Sequence, residues 1–179
     1  MTWRAMSARP SAEAAAQGLV HAQYALGKCY HHGKGVAIHL ATAAKWYRLG
    51  AEQGDSLCQV ELGMLYKDGT GVPQNDALAV YWLSKAADDG DAVAQNNLAG
   101  CYRNGEGVER NLAAAVDLYK AAAAQGSPES QLGLGNFYFQ GDGGVPQNLA
   151  LAASLYRQAA TQGRHWQTLQ ARHVLCFQY

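Results

Sequence analysis

The sequence predicts an all-α protein, a solenoid of antiparallel helix pairs stacked in tandem, and three observations predict it. A Gly-x-Gly-Val loop recurs as Gly33-Lys34-Gly35-Val36, Gly69-Thr70-Gly71-Val72 and Gly105-Glu106-Gly107-Val108, then with one residue inserted as Gly141-Asp142-Gly143-Gly144-Val145. Its first glycine returns every 36 residues, and so do Gly18, Gly54, Gly90 and Gly126, with Gly163 following after 37. Two glycine series that share one period and one slip mark an internal repeat. Between these marks, apolar residues fall at helical spacing with no strand-like alternation.

Residues 1–17 read as a partial N-terminal helix or cap. Ala14-Ala15-Ala16-Gln17-Gly18 parallels Ala122-Ala123-Ala124-Gln125-Gly126, so the chain reads as opening inside a repeat. Repeat 1 covers 18–53. Its first helix, helix A, carries a stripe of Ala22, Ala25, Leu26, Cys29 and Tyr30, and its second, helix B, carries Ala43, Ala44, Trp46 and Tyr47. Repeat 2, 54–89, places Cys58, Leu62, Leu65 and Tyr66 on helix A, then Ala79, Val80, Trp82 and Leu83 on helix B. In repeat 3, 90–125, the stripe is Ala94, Leu98, Cys101 and Tyr102; in repeat 4, 126–162, it is Leu134, Phe137 and Tyr138. Residues 163–179 read as a C-terminal capping helix with Trp166, Leu169 and Val174 as core contacts. Terminal units of a solenoid are atypical because one face meets water.

The loops read as helix punctuation. The first glycine of each sits where a helix end needs a left-handed residue, and the valine can fold back onto the hairpin. Pro73 and Pro146 stiffen the approach to helix B, whose free amides Asn75, Asn111 and Asn148 can cap. Asp55 and Asp91 do the same for helix A. Repeat 1 has Ala37-Ile38-His39 there, so its helix B is expected to lack the cap. Gly27, Gly63 and Gly135, with Ala99 in repeat 3, fall inside helix A, where glycine costs roughly 1 kcal/mol against alanine. Close approach of the partner helix would compensate.

Composition excludes several classes. Fourteen basic and fourteen acidic residues cancel to zero net charge, which argues against nucleic acid, polyanions and membrane surfaces as partners. No apolar run is long enough to span a membrane. The N-terminus lacks the apolar core of a secretory signal. A chain with its signal removed would look the same, so the compartment stays open between cytoplasm, periplasm and exterior.

Taken together, Leu62-Gly63-Met64-Leu65-Tyr66, Gly69-Thr70-Gly71-Val72-Pro73-Gln74-Asn75 and Ala86-Ala87-Asp88-Asp89-Gly90 resemble the Sel1-like repeat, a relative of the tetratricopeptide repeat. The resemblance runs from about Gly18 to Gly163. It implies a right-handed α/α superhelical solenoid and a non-enzymatic protein–protein interaction module, an adaptor or scaffold. Within that class it suggests a bacterial adaptor or an immunity-type inhibitor. Two alternatives accompany it: a Sel1-like hydrolase or metal-binding protein, and a structural segment of a longer array.

Catalytic and metal chemistry find little support in the residues. Cys29, Cys58, Cys101 and Cys176 form no intra-repeat pair of the kind some cysteine-rich relatives use. Cys29 and Cys101 hold one repeat position two units apart, too far for a disulfide, so free thiols are expected. His21, His31 and His32 show no zinc spacing, and the adjacent His31 and His32 should lie on different helical faces. No nucleophile–base set and no Ser-x-x-Lys appears. We therefore expect no catalytic residues, no metal and no cofactor. Tyr30, Tyr66, Tyr102 and Tyr138, identical in every unit, are expected in the core.

Function should show where residues vary while their neighbours repeat. In relatives of this fold helix A lines the concave groove, and the stripe opposite the core is Tyr24, Lys28, His31; Val60, Met64, Lys67; Asn96, Gly100, Arg103; and Leu132, Asn136, Phe139. Exposed Val60, Met64, Leu132 and Phe139 would act as apolar anchors among positive charges, a surface for an acidic-amphipathic peptide or helix of a protein partner.

Overall fold

The computed structural model describes residues 9–162, and among them every regular element is a helix. In chain order these are α1 (Arg9–Ala16), α2 (Val20–His32), α3 (Leu40–Glu52), α4 (Ser56–Asp68), α5 (Asp76–Asp88), α6 (Ala92–Asn104), α7 (Leu112–Ala124), α8 (Pro128–Gln140) and α9 (Leu149–Thr161). The chain divides into two compact units, Met1–Asp89 and Gly90–Tyr179. Each is built of hairpins: α2 with α3 and α4 with α5 in the first, α6 with α7 and α8 with α9 in the second. No described helix is long and apolar enough to cross a membrane. The expected capping helix of 163–179, with Trp166, Leu169, Val174 and Cys176, lies outside the described residues.

The punctuation works as its chemistry requires. Gly33, Gly69, Gly105 and Gly141 close the A helices in the left-handed conformation. Asp55, Asp91 and also Ser127 cap the following A helices through a side-chain oxygen. Asn75, Asn111 and Asn148 cap α5, α7 and α9. Repeat 1 departs from expectation, because its helix B is capped after all: the His39 ring stands in, its Nδ1 accepting the Thr42 amide at 3.2 Å. The same four cap residues also donate their own amides to the carbonyls of Tyr30, Tyr66, Tyr102 and Tyr138, at 2.8–2.9 Å. This bond pins each loop across the end of helix A.

The helical glycines mark the closest approach within a hairpin. A Cβ on Gly27 would lie 2.5 Å from the Tyr47 ring, one on Gly63 2.9 Å from Leu83, and one on Gly135 2.6 Å from Tyr156. In repeat 3, where Ala99 replaces the glycine, the Tyr119 ring sits under Gly133 of the next A helix instead, 2.7 Å from where a Cβ would stand. The cores gather around these contacts. In the first unit Tyr47, fully buried, packs with Ala43, Cys58, Leu62, Leu65 and Trp82. In the second, Tyr119 packs with Val116, Leu134, Phe137 and Leu155, and Tyr156 with Leu132, Ala152 and Ala159.

The stripe on α2 is rotated from the predicted one. Ala25 is exposed and Ala22, Cys29 and Tyr30 only half-buried, whereas Gln23, Leu26 and Gly27 are buried. Residues 23, 26, 27 and 30 follow the i, i+3, i+4, i+7 face of a helix, and Ala25 lies nearly opposite it. Of the repeated tyrosines, Tyr66 is buried, while Tyr30, Tyr102 and Tyr138 are half-buried with their rings against the cores.

Gln23 belongs to a set that the apolar pattern did not reveal. Gln23, Gln59, Gln95 and Gln131 recur at the repeat period and are 3%, 3%, 8% and 4% exposed. A glutamine just past the end of helix B donates to three of them: Gln53 to Gln23 Oε1 at 2.8 Å, Gln125 to Gln95 Oε1 at 3.0 Å, and Gln162 to Gln131 Oε1 at 3.4 Å. In the first unit the buried amides in turn donate to the preceding B-type helix, Gln23 to the Ala15 carbonyl at 3.2 Å and Gln59 to the Ala51 carbonyl at 3.3 Å. Repeat 2 breaks the pairing. Asp89 occupies the outer glutamine's place, and Gln59 Oε1 is buried with no hydrogen-bond partner.

An unmade buried hydrogen bond costs about 1–3 kcal/mol. Asp89→Gln should therefore raise stability by about 1 kcal/mol in urea unfolding, more than Asp89→Ala, which removes the charge without supplying a donor. Equal effects of the two substitutions would show that Gln59 lacks nothing.

Candidate binding face

In the first unit the predicted face lies on α2 and α4. Tyr24, Lys28, His31, Met64 and Lys67 are half-buried there. Val60, by contrast, is buried at 9% exposure and is not an exposed anchor. Its helix turns it inward beside the buried Cys58 and Gln59. The Lys28 ammonium stands 5.1 Å over the Tyr24 ring, which tilts against Tyr47 with centroids 6.1 Å apart. His31 Nδ1 lies 3.4 Å from the Tyr47 hydroxyl and 3.8 Å from Glu61 Oε2. Glu61 was not foreseen. Its signal was available, since the equivalent positions carry Ala25, Asn97 and Gly133 and so vary as the face does. The His31 and His32 rings stack at 4.7 Å and 5° rather than pointing to different faces. They turn together in the last helical turn.

In the second unit the face lies on α6 and α8. Leu132 is also no exposed anchor: at 4% exposure it is committed to the core of α9. Phe139 is exposed at 37%, and Gly100 faces open space. The two asparagines carry bonds of their own. Asn96 Oδ1 accepts from Ser130 Oγ at 2.9 Å, and Asn136 Oδ1 accepts from the buried Tyr156 hydroxyl at 2.6 Å.

Four predicted residues come together here. Asn96, Arg103, Leu132 and Asn136 line one cleft of about 240 Å³. Arg103 and Asn136 also line a larger cavity of about 450 Å³, with Arg110, Gln140 and Asp142 on its walls and Phe137 in its lining. Arg110 and Asp142 come from loops rather than from the helical stripe, which is why helix periodicity could not reach them.

The remaining chemistry is quiet. Cys58 and Cys101 are buried and Cys29 half-buried, all three as free thiols. Burial, with Asp55 next, pushes the Cys58 thiol well above its ordinary range, away from nucleophilic thiolate. Among the described residues no group of three or more His, Cys, Asp and Glu side chains is placed to hold a metal ion.

A family model described as Sel1 repeat matches residues 20–55, 56–91, 92–127 and 128–163. No curated protein matches the chain. Among solved structures, it is similar to c5321, a protective antigen present in uropathogenic Escherichia coli strains displaying an SLR fold, at 37% identity and a TM-score of 0.87 over 96% of this chain and 36% of that one. It is also similar to a Sel1 repeat protein from Oxalobacter formigenes, at 32% identity and a TM-score of 0.82 over 89% of this chain and 65% of that one. The chain thus spans less than two thirds of either relative.

Tyr47 joins the face of the first unit to its core, and pH reports on it. Burial first, then the Glu61 carboxylate, hold its phenol well above the ordinary value of 10.0. As pH rises the unfolded chain loses this proton first, so the stability is complete below about pH 10 and declines above it. Tyr47→Phe removes that component. The wild-type advantage over the variant in urea unfolding should shrink as pH rises past 10.0; an advantage independent of pH would mean that the folded phenol ionises as freely as the unfolded one.

Proposed function

Because this chain belongs to the Sel1 repeat family, whose members are generally protein-interaction modules, we propose that it is a non-enzymatic adaptor that binds a segment of a partner protein on the outward faces of its A helices. One observation carries the reading. Packing positions such as Leu26, Leu62, Leu98 and Leu134 keep one residue type from repeat to repeat, whereas the outward rows vary, Lys28, Met64, Gly100, Asn136 in one and His31, Lys67, Arg103, Phe139 in another. In the second unit those varying residues also gather around open clefts. Outward rows that vary beside a constant leucine row are what selection for a partner leaves when packing is conserved.

The face mixes cations, rings and amides with a few apolar side chains, which suits adaptable polar contact around small anchors. Met64 and Phe139 remain as the apolar contacts, Val60 and Leu132 being taken by the core. The bacterial relatives fit an adaptor role in a bacterium, and an immunity-type inhibitor is one form of it.

The test uses a photoreactive side chain at position 64 or 139, and at Lys120, an exposed residue of helix B. Irradiation in the native host should cross-link one and the same protein from 64 or 139 and not from 120. Met64→Glu with Phe139→Glu should abolish its capture while helicity is unchanged. Equal labelling from all three positions, or undiminished capture by the double variant, removes the reading.

A further inference from the structure

The larger cavity of the second unit has an unusual wall. Arg103 and Arg110 both line it, and they are tied together: Arg110 Nε donates to the Arg103 carbonyl at 3.1 Å, and Arg103 Nε donates to Asn104 Oδ1 at 3.3 Å. Each guanidinium is thereby held through Nε, which leaves its terminal nitrogens for something else. Neither is paired with a carboxylate among the described residues, where the ion pairs include His31–Glu61 and Lys120–Asp117. Both guanidiniums belong to one lining, so an anion seated in the cavity meets two positive charges.

The pair belongs to repeat 3 alone. His31, Lys67 and Phe139 stand at the position of Arg103 in the other repeats, and Ile38, Gln74 and Gln147 at that of Arg110. The arginines therefore do no job the fold requires of every unit. Asp142, in the same lining, accepts the Gly143 amide with its carboxylate at 2.7 Å. Gln140 also lines the cavity, and Asn136 accepts the Tyr156 hydroxyl with its oxygen, which leaves its NH2 to donate.

We propose that this cavity seats the side-chain carboxylate of an Asp or Glu in an extended segment of the partner, gripped by Arg103 and Arg110 while Gln140 and Asn136 meet the segment's main chain. This deepens the binding-module reading and rests on it. A guanidinium matches a carboxylate through paired N–H donors. The Asp142 carboxylate in the same lining opposes a phosphate dianion more strongly than a singly charged carboxylate. A cavity of about 450 Å³ is in the range that holds several residues' worth of atoms rather than one ion. The Gln140 amide carries both a donor and an acceptor and Asn136 adds the donors of its NH2, a match for a peptide main chain.

A library of short random peptides, blocked at both ends so that no terminal carboxylate is present, is selected against the full chain. The best binders are then compared by fluorescence anisotropy with Glu, Gln or phosphoserine at the acidic position. The expected result is enrichment of Asp and Glu, with about tenfold weaker binding on Glu→Gln. Arg103→Gln with Arg110→Gln should erase that discrimination at unchanged helicity, leaving weaker binding. Equal affinity for Glu and Gln, a preference for phosphoserine, or discrimination that survives the double substitution overturns the proposal, even though peptide binding itself would leave the module reading standing. No enriched peptide at all also overturns it, and only if the photoreactive side chains at 64 and 139 then capture nothing does the broader reading fall with it.

Discussion

Within three of the four hairpins, helix A crosses helix B so closely that a Cβ finds no room between them at one point, and the other features of the repeat depend on that crossing. Gly27 lies under Tyr47 and Gly135 under Tyr156, each ring filling the space a Cβ would take. Glycine weakens a helix by roughly 1 kcal/mol, but burial of an aromatic ring returns more than that. The crossing fixes the depth at which helix A sits. Residues on its inner side become core, and the other side is left to vary. In repeat 3, Ala99 and Gly133 exchange roles, so the ring keeps a glycine beneath it though the glycine comes from a different helix.

Most of this was legible in the sequence, for a physical reason. A glycine in the left-handed region and an asparagine or aspartate at a helix start are local requirements, so they recur wherever the local geometry recurs. The helix hairpins, most of their caps and the crossing glycines follow from that. The rotation of each helix was harder. An apolar stripe several residues wide leaves about one residue of freedom in where its centre lies, and Ala25, Val60 and Leu132 fell on the wrong side of that margin. His39 was missed as a cap because imidazole is not among the usual capping groups.

The buried glutamines and the arginine cavity were hidden for opposite reasons. Glutamine is mostly a surface residue, so its recurrence at Gln23, Gln59, Gln95 and Gln131 adds nothing to an apolar stripe, although its period is as plain as that of the glycines. The cavity has no period at all. Arg110 and Asp142 are loop residues that meet Arg103 and Asn136 only once the chain has folded. A feature that occurs once cannot be found by comparing a sequence with itself, and single-copy features are where one repeat protein differs from another.

The glutamine pairing bears on how such a chain could arise. In the first unit, each buried amide reaches back to a carbonyl of the preceding helix, and Gln23, which reaches Ala15, also receives a donor from Gln53 at the end of its own repeat's second helix. A segment with this wiring carries matching halves at its two ends. When a gene segment encoding it is duplicated in tandem, the new junction is satisfied at once, without a compensating mutation. Copy number can then drift while every internal polar group keeps its partner, and a lapse such as Asp89 records a copy that has begun to diverge.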